Sequence, residues 1–170
     1  MKDINVIDNF LIESELNQLF DILNVQGWKF DNYSDDRKDS YMFWSSNLKD
    51  QTIVNKIINR VEKQYNKKFI VTSKYFNGQT FGQDGEFHTD SDEDNTYTLI
   101  IYMSDINPGN IDKVGGYTQF KNKNGTVINI NPYRNRAVLF NSKLNHRGLA
   151  PNRITDMLRI SLAFKLKEVV

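Results

Sequence analysis

Two histidines are all this 170-residue chain contains. One of them opens the run His88-Thr89-Asp90. On an extended segment, residues i and i+2 face the same way, so His88 and Asp90 can present a ring nitrogen and a carboxylate oxygen to one metal ion. The other histidine, His146, lies in "FNSKLNHRGLAP", just after the apolar run "RAVLF". Two histidines and one carboxylate form a facial triad that leaves positions open on an octahedral ion, which suits non-haem Fe(II) oxygen chemistry. Three such ligands can also hold a catalytic zinc.

Calcium is the first rival. In "FGQDGEFHTDSDED" the residues Asp90, Asp92 and Asp94 alternate as at the start of a helix-loop-helix calcium loop. The sixth position of such a loop needs Gly for its turn, and here it is Asn95. The twelfth needs a bidentate Glu, and here it is Ile101, inside an apolar run. The calcium pattern fails, and Asp92, Glu93 and Asp94 are expected in solvent.

The strand "LRISLAFK" adds a second chemistry. Leu158, Ile160, Leu162 and Phe164 share one face, and Arg159, Ser161 and Ala163 share the other. An arginine aimed into a β core is costly unless it meets an anion. A dicarboxylate cosubstrate is such an anion. Arg159 can grip a carboxylate with two parallel hydrogen bonds, and Ser161 offers a further donor.

Elements must position these groups. The periodicity changes near residue 70. Before it, Leu16, Leu19, Phe20 and Leu23 fall at helical spacing, with Ser14 as the expected N-cap. Ile53, Val54, Ile57, Ile58, Val61 and Tyr65 form a second helical stripe. After it, "KFIVTSKYF", "EFHTD", "TYTLIIYMSD", "GGYTQF", "GTVINI", "RAVLFN" and "LRISLAFKL" read as strands separated by turn signals. The pattern predicts an α+β protein: a sandwich, jelly roll or barrel with both helices on one outer face. The length fits one domain.

Composition narrows the function classes. The chain has no cysteine, which excludes disulfides, thiolate zinc sites and cysteine nucleophiles. Its formal net charge is +1, which argues against a general nucleic-acid footprint. A local group of Lys121, Lys123, Arg134 and Arg136 keeps a nucleic-acid substrate open. The sequence shows neither a membrane span nor a secretion signal, and a cytoplasmic protein is expected.

In order along the chain, "YFNGQTFGQDGEFHTD", "YTLIIYMSD", "GGYTQF", "NRAVLFNSKLNHRGLAP" and "LRISLAFKL" resemble the Fe(II)- and 2-oxoglutarate-dependent dioxygenases, in particular the prolyl-4-hydroxylase-like branch, which includes phage-encoded members. The resemblance covers about residues 71–166. It implies a double-stranded β-helix, or jelly-roll core, over that range. A helical support over about residues 1–70 would complete a single domain spanning 1–170. It implies iron on His88, Asp90 and His146. It places the far carboxylate of 2-oxoglutarate on Arg159, with Ser161 beside it, Tyr102 reaching the same carboxylate and Tyr75 upstream in the cosubstrate pocket. Gly115 and Gly116 fit a tight turn into a barrel strand. Collagen-type members commonly carry lysine where this chain has Arg159, and the interval from Tyr75 to His88 is longer than usual. The implied activity uses O₂, with ascorbate as reductant, and releases succinate and CO₂.

A protein or peptide acceptor hydroxylated at proline is the leading expectation. The same chemistry on a free amino acid, small metabolite or nucleobase is the alternative. A non-enzymatic jelly-roll binding module or a zinc hydrolase on the same triad stands behind both. The segments "FDNYSDDRKDSYMFWSS" and "INPGNIDKVGG" are candidate lids, being polar, irregular and rich in turns.

Overall fold

The computed structural model describes residues 4–34 and 41–169. Residues 35–40, within the first candidate lid, lie outside the described residues. The elements run β1 (Ile4–Ile7), α1 (Glu13–Gln26), β2 (Lys29–Asn32), β3 (Phe43–Asn47), α2 (Gln51–Tyr65), β4 (Phe69–Gln79), β5 (Thr96–Tyr102), α3 (Ile111–Val114), β6 (Thr118–Lys121), β7 (Val127–Ile130), β8 (Ala137–Asn141), β9 (Asn145–Gly148) and β10 (Arg159–Glu168). Two antiparallel sheets result. The major one has the order β1-β8-β5-β10-β4-β3-β2, and the minor one β7-β6-β9. This is the expected α+β double-stranded β-helix with N-terminal supporting helices.

The helices form where the apolar stripes predict. Asp50 caps α2 by accepting from the N–H groups of Thr52 and Ile53 at 2.8 and 3.1 Å. The first helix starts earlier than expected. Ser14 lies inside it, and Ile12 is the capping position. The Ile12 N–H instead finds the Glu15 carboxylate at 3.2 Å. That carboxylate also pairs with Arg60 at 2.7 Å, which ties α1 to α2.

Both helices pack on the outer face of the major sheet. Leu19, Ile53, Val54, Ile57 and Val61 are fully buried there against Phe76, Leu99, Ile101, Leu162 and Phe164. Each such side chain stabilises the fold by about 1.5–3 kcal/mol relative to exposure. Strand β10, paired to β4 on one side and β5 on the other, carries the division between faces. Leu162 and Phe164 join the helix-side core. Arg159, Ser161 and Ala163 line a cavity on the opposite face.

Three features depart from the sequence reading. The segment before α1 adds β1 to the edge of the major sheet, and the aromatic stretches "GWKFDNY" and "SYMFWSS", which read as short strands or loops, supply β2 and β3 at the other edge. Their short runs carry no long periodicity, and neighbouring strands complete them. "EFHTD" forms no strand and contributes a single bridge, His88 with His146. "NHRG", poor in strand-forming residues, is β9 because its backbone pairs with β6.

Candidate active site

The two histidines meet through their backbones. His88 N–H donates to His146 O at 3.0 Å, and His146 N–H donates to His88 O at 2.9 Å. This pairing sets the ring centroids 4.5 Å apart. Each Nδ1 faces a carbonyl: Glu86 O at 2.8 Å for His88 and Leu144 O at 2.9 Å for His146. A carbonyl only accepts, so in the neutral ring Nδ1 carries the proton and Nε2 keeps its lone pair. Such fixing of the ring by its second nitrogen is how metal-binding histidines are oriented.

Asp90 completes the cluster. Its N–H donates to Ser142 O at 2.9 Å. His88 Nε2 lies 3.4 Å from Asp90 Oδ1, and His146 Nε2 lies 3.5 Å from Oδ2. One ligand atom from each of the three residues lies within 4.8 Å of the others. With neutral rings, two imidazole lone pairs and one carboxylate converge on a common point, an arrangement that a cation can bridge. The donor set of two imidazoles and one carboxylate fits Fe(II).

Two groups that the sequence reading missed hold the same carboxylate. Thr98 Oγ1 donates to Asp90 Oδ2 at 2.5 Å, and the Lys165 ammonium lies 2.5 Å from the same oxygen. Burial alone would push the Asp90 carboxyl up. The contacts with His88, Lys165 and His146 outweigh burial and hold it well below the usual carboxylate range. Lys165 was legible in principle, because it continues the alternation of Arg159, Ser161 and Ala163 by one step. Thr98 carries no such signal.

Burial pushes the His146 imidazole down to about 4. The folded value lies below the unfolded value of about 6.5. The neutral ring's stabilisation is therefore fully present above that unfolded value and is lost as pH falls from there toward 4. Asp90 yields its share only below its ordinary 3.8, so the upper window belongs to His146. Metal-free protein is expected to melt at progressively lower temperature across that window, as followed by circular dichroism.

Arg159 closes the far end of the cavity and is buried. Its Nε donates to Gly116 O at 2.6 Å, one terminal nitrogen to Gln79 Oε1 at 2.8 Å, and the other to Thr118 Oγ1 at 3.0 Å. All three partners are neutral. Burial pulls the guanidinium pKa down, partly offset by Tyr102, yet an arginine stays charged in proteins. A buried cation with only neutral partners among the described residues fits an anionic ligand, and the cavity that reaches it has a volume of about 270 Å³.

The remaining expected residues divide. Ser161 and Tyr75 line this cavity with His88, Asp90, His146 and Arg159. Tyr102 stands behind them. Its hydroxyl donates to Thr118 Oγ1 at 2.7 Å, and Arg159 lies over its ring at 5.5 Å. Thr118, itself on the cavity wall, accepts from both Tyr102 and Arg159, which leaves its own proton free to donate into the cavity. Neither Thr118 nor Gln79 is marked in the sequence, since both reach the site only through strand pairing.

Gly116 shows why small residues sit in this turn. Its φ is +77°, and a Cβ there would stand 3.1 Å from Arg159 Cδ. Gly116→Ala is expected to cost about 1–3 kcal/mol, seen as a lower melting temperature, and to weaken 2-oxoglutarate binding through the displaced guanidinium.

Asp92, Glu93 and Asp94 are exposed, as expected. Glu93 pairs with Lys167 at 2.7 Å and Asp94 with Lys143 at 2.6 Å. The basic group considered for nucleic acid is partly neutralised, because Arg136 bonds Asp8 at 2.6 Å and Arg134 lies 3.4 Å from Glu13. Among the described residues no helix is long and apolar enough to cross a membrane.

Comparison with known proteins agrees with this geometry. Residues 70–164 match the model of the 2OG-Fe(II) oxygenase superfamily, and the chain belongs to that family. Its cofactors are accordingly Fe(II) and 2-oxoglutarate. No curated protein matches it in sequence. Among solved structures, an oxidoreductase of the 2OG-Fe(II) oxygenase family from Burkholderia pseudomallei superposes with a TM-score of 0.78 at 11% identity, covering 98% of this chain and 85% of that one. A prolyl hydroxylase from Trichoplax adhaerens, in complex with a hypoxia inducible factor oxygen degradation domain peptide fragment, gives 0.72 at 19%, covering 99% and 84%. A viral collagen prolyl hydroxylase from Paramecium Bursaria Chlorella virus-1 gives 0.70 at 20%, covering 98% and 96%. At these identities the likeness speaks for the fold.

Proposed function

We propose that this chain is a single-domain hydroxylase in which His88, Asp90 and His146 hold Fe(II) and Arg159 anchors 2-oxoglutarate, and that its acceptor is a prolyl residue of a peptide. The observation that carries the site assignment is the shared cavity. A buried arginine whose partners among the described residues are all neutral lies at one end, and the convergent two-histidine, one-carboxylate cluster lies on its wall. Similarity in fold to two prolyl hydroxylases supports the acceptor.

The reaction balances as one C–H bond, one 2-oxoglutarate and one O₂ giving one C–OH bond, one succinate and one CO₂. When bound, the iron and its cosubstrate supply the oxidising chemistry. The chain's own residues prepare the ground for it. Thr98 and Lys165 hold one oxygen of Asp90, leaving the other for the metal. Glu86 O and Leu144 O fix the two rings with Nε2 inward. Arg159, with Ser161 and Thr118 beside it, grips the distal carboxylate, and Tyr102 and Gln79 position those donors.

The test is mass spectrometry of purified protein supplied with Fe(II), ascorbate, 2-oxoglutarate and O₂ over proline peptides, amino acids and nucleosides. A one-oxygen mass gain on proline supports the proposal. A gain confined to amino acids or nucleosides replaces the acceptor and keeps the chemistry.

A further inference from the structure

Lys165 stands on the cavity wall beside the metal cluster, not at the Arg159 end. We propose that Lys165 is a specificity residue that binds a carboxylate of the acceptor, so that the substrate is a monoanion with its charge close to the C–H bond attacked. This inference rests on the function proposed above and deepens it.

Three observations carry it. First, among the described residues the charged side chains lining the cavity besides the two histidines are Asp90, Arg159 and Lys165, and a histidine binds a metal through the lone pair of its neutral ring. A divalent metal and a dianionic cosubstrate cancel one another. Asp90 then cancels one of the two cationic side chains, and among the described residues one positive charge is left over. Unbalanced charge in a partly enclosed site favours a ligand that neutralises it.

Second, Lys165 has bonding capacity to spare. An ammonium has three donors, and among the described residues its one ion-pair partner is Asp90 Oδ2 at 2.5 Å. Its side chain is 22% exposed and lines the cavity wall. Metal binding draws the Asp90 charge toward the ion and weakens its hold on the ammonium, which increases the demand for a second anion.

Third, the placement suits an acceptor and not the cosubstrate. Lys165 is six residues from Arg159 on the same face of β10, with Ser161 and Ala163 between them. At about 3.3 Å per residue, their backbones are too far apart for one small dicarboxylate lying along the strand to satisfy both heads. Between the two cations the wall of β4 supplies Asn77, opposite Ser161, and Tyr75, opposite Ala163, with Asn32, Tyr33 and Ser34 of the β2 end also on the wall, and these residues are polar and carry no charge of their own.

The carboxylate can be the α-carboxylate of a free or C-terminal amino acid or the acidic side chain of a neighbouring residue in a peptide. Binding separates the two sources without needing turnover. Zn(II)-loaded protein, saturated with 2-oxoglutarate, is titrated by calorimetry with N-acetyl amino acids, N-acetyl-L-proline among them, each against its own amide. A second arm compares acetyl-Pro-Asp-amide with acetyl-Pro-Asn-amide.

The acid of at least one pair is expected to bind about 10-fold or more tighter than its neutral partner. Lys165→Gln should erase that preference, and Lys165→Arg should restore much of it. Acids and amides that bind alike, no acid binding at all, or a preference that survives Lys165→Gln would overturn the inference. The comparison of acid with amide in the unaltered protein stands even if a variant fails to fold. Failure of 2-oxoglutarate itself to bind the metal-loaded protein would bring down the proposed function and this inference with it. Intact 2-oxoglutarate binding without carboxylate preference would sink this inference alone.

Discussion

Asp90→Ala is expected to abolish succinate formation and to cost more metal affinity than the about 10–100-fold typical of losing an outer-shell partner. The substitution removes the only anionic group of the cluster. It also leaves the Lys165 ammonium, now 2.5 Å from Asp90 Oδ2, beside the metal position without its counter-ion. Attraction becomes repulsion at a partly buried site, where screening by water is weak. Thr98→Val is the graded companion. It removes the 2.5 Å hydrogen bond to Oδ2 and keeps the ligand, so its loss should fall within the outer-shell range. Metal titrations monitored by calorimetry, with succinate release measured in parallel, check both. Equal and mild effects of the two variants would mean that Asp90 is not a ligand.

Arg159→Gln is expected to raise the 2-oxoglutarate Kd by about 30-fold to several thousand-fold, the equivalent of about 2–5 kcal/mol for a truncated buried charge pair. Metal affinity should change little, because Arg159 bonds Gly116, Gln79 and Thr118 and touches none of the three converging residues. Arg159→Lys should fall between the two, since an ammonium keeps the charge and loses the planar two-point grip. The informative result is the split between cosubstrate and metal. A variant that lost both equally would point to a collapsed site.

How much of this was legible from the sequence follows from where each signal resides. The spacing of His88 and Asp90, the single other histidine and the alternation along β10 are local patterns, and the cluster and the inward arginine could be read from them. The helix stripes at Leu16–Leu23 and Ile53–Val61 were legible for the same reason. Partners supplied by long-range pairing were not. Gln79 meets Arg159 because β4 and β10 place them opposite each other, and nothing near either residue announces it. Thr118 comes from the minor sheet and bonds Tyr102 and Arg159 across the interior. Lys165 was missed although its parity was visible, because a lysine near a strand end is ordinarily solvent-facing. Its ion pair with Asp90 exists only once the bridge between His88 and His146 brings the three converging residues beneath β10. The calcium-like acidic run misled in the opposite direction, since Glu93 and Asp94 meet surface lysines and Asp90 alone turns inward.

The central claim is that one cavity holds Fe(II) on His88, Asp90 and His146 and 2-oxoglutarate against Arg159. Anaerobic titration of Fe(II)-loaded protein with 2-oxoglutarate, followed by visible absorption, tests it most directly. A metal-to-ligand charge-transfer band that grows to saturation, disappears in Asp90→Ala and requires far more 2-oxoglutarate in Arg159→Gln is the predicted result. Fe(II)-loaded protein that shows neither a band nor binding heat with 2-oxoglutarate would contradict it.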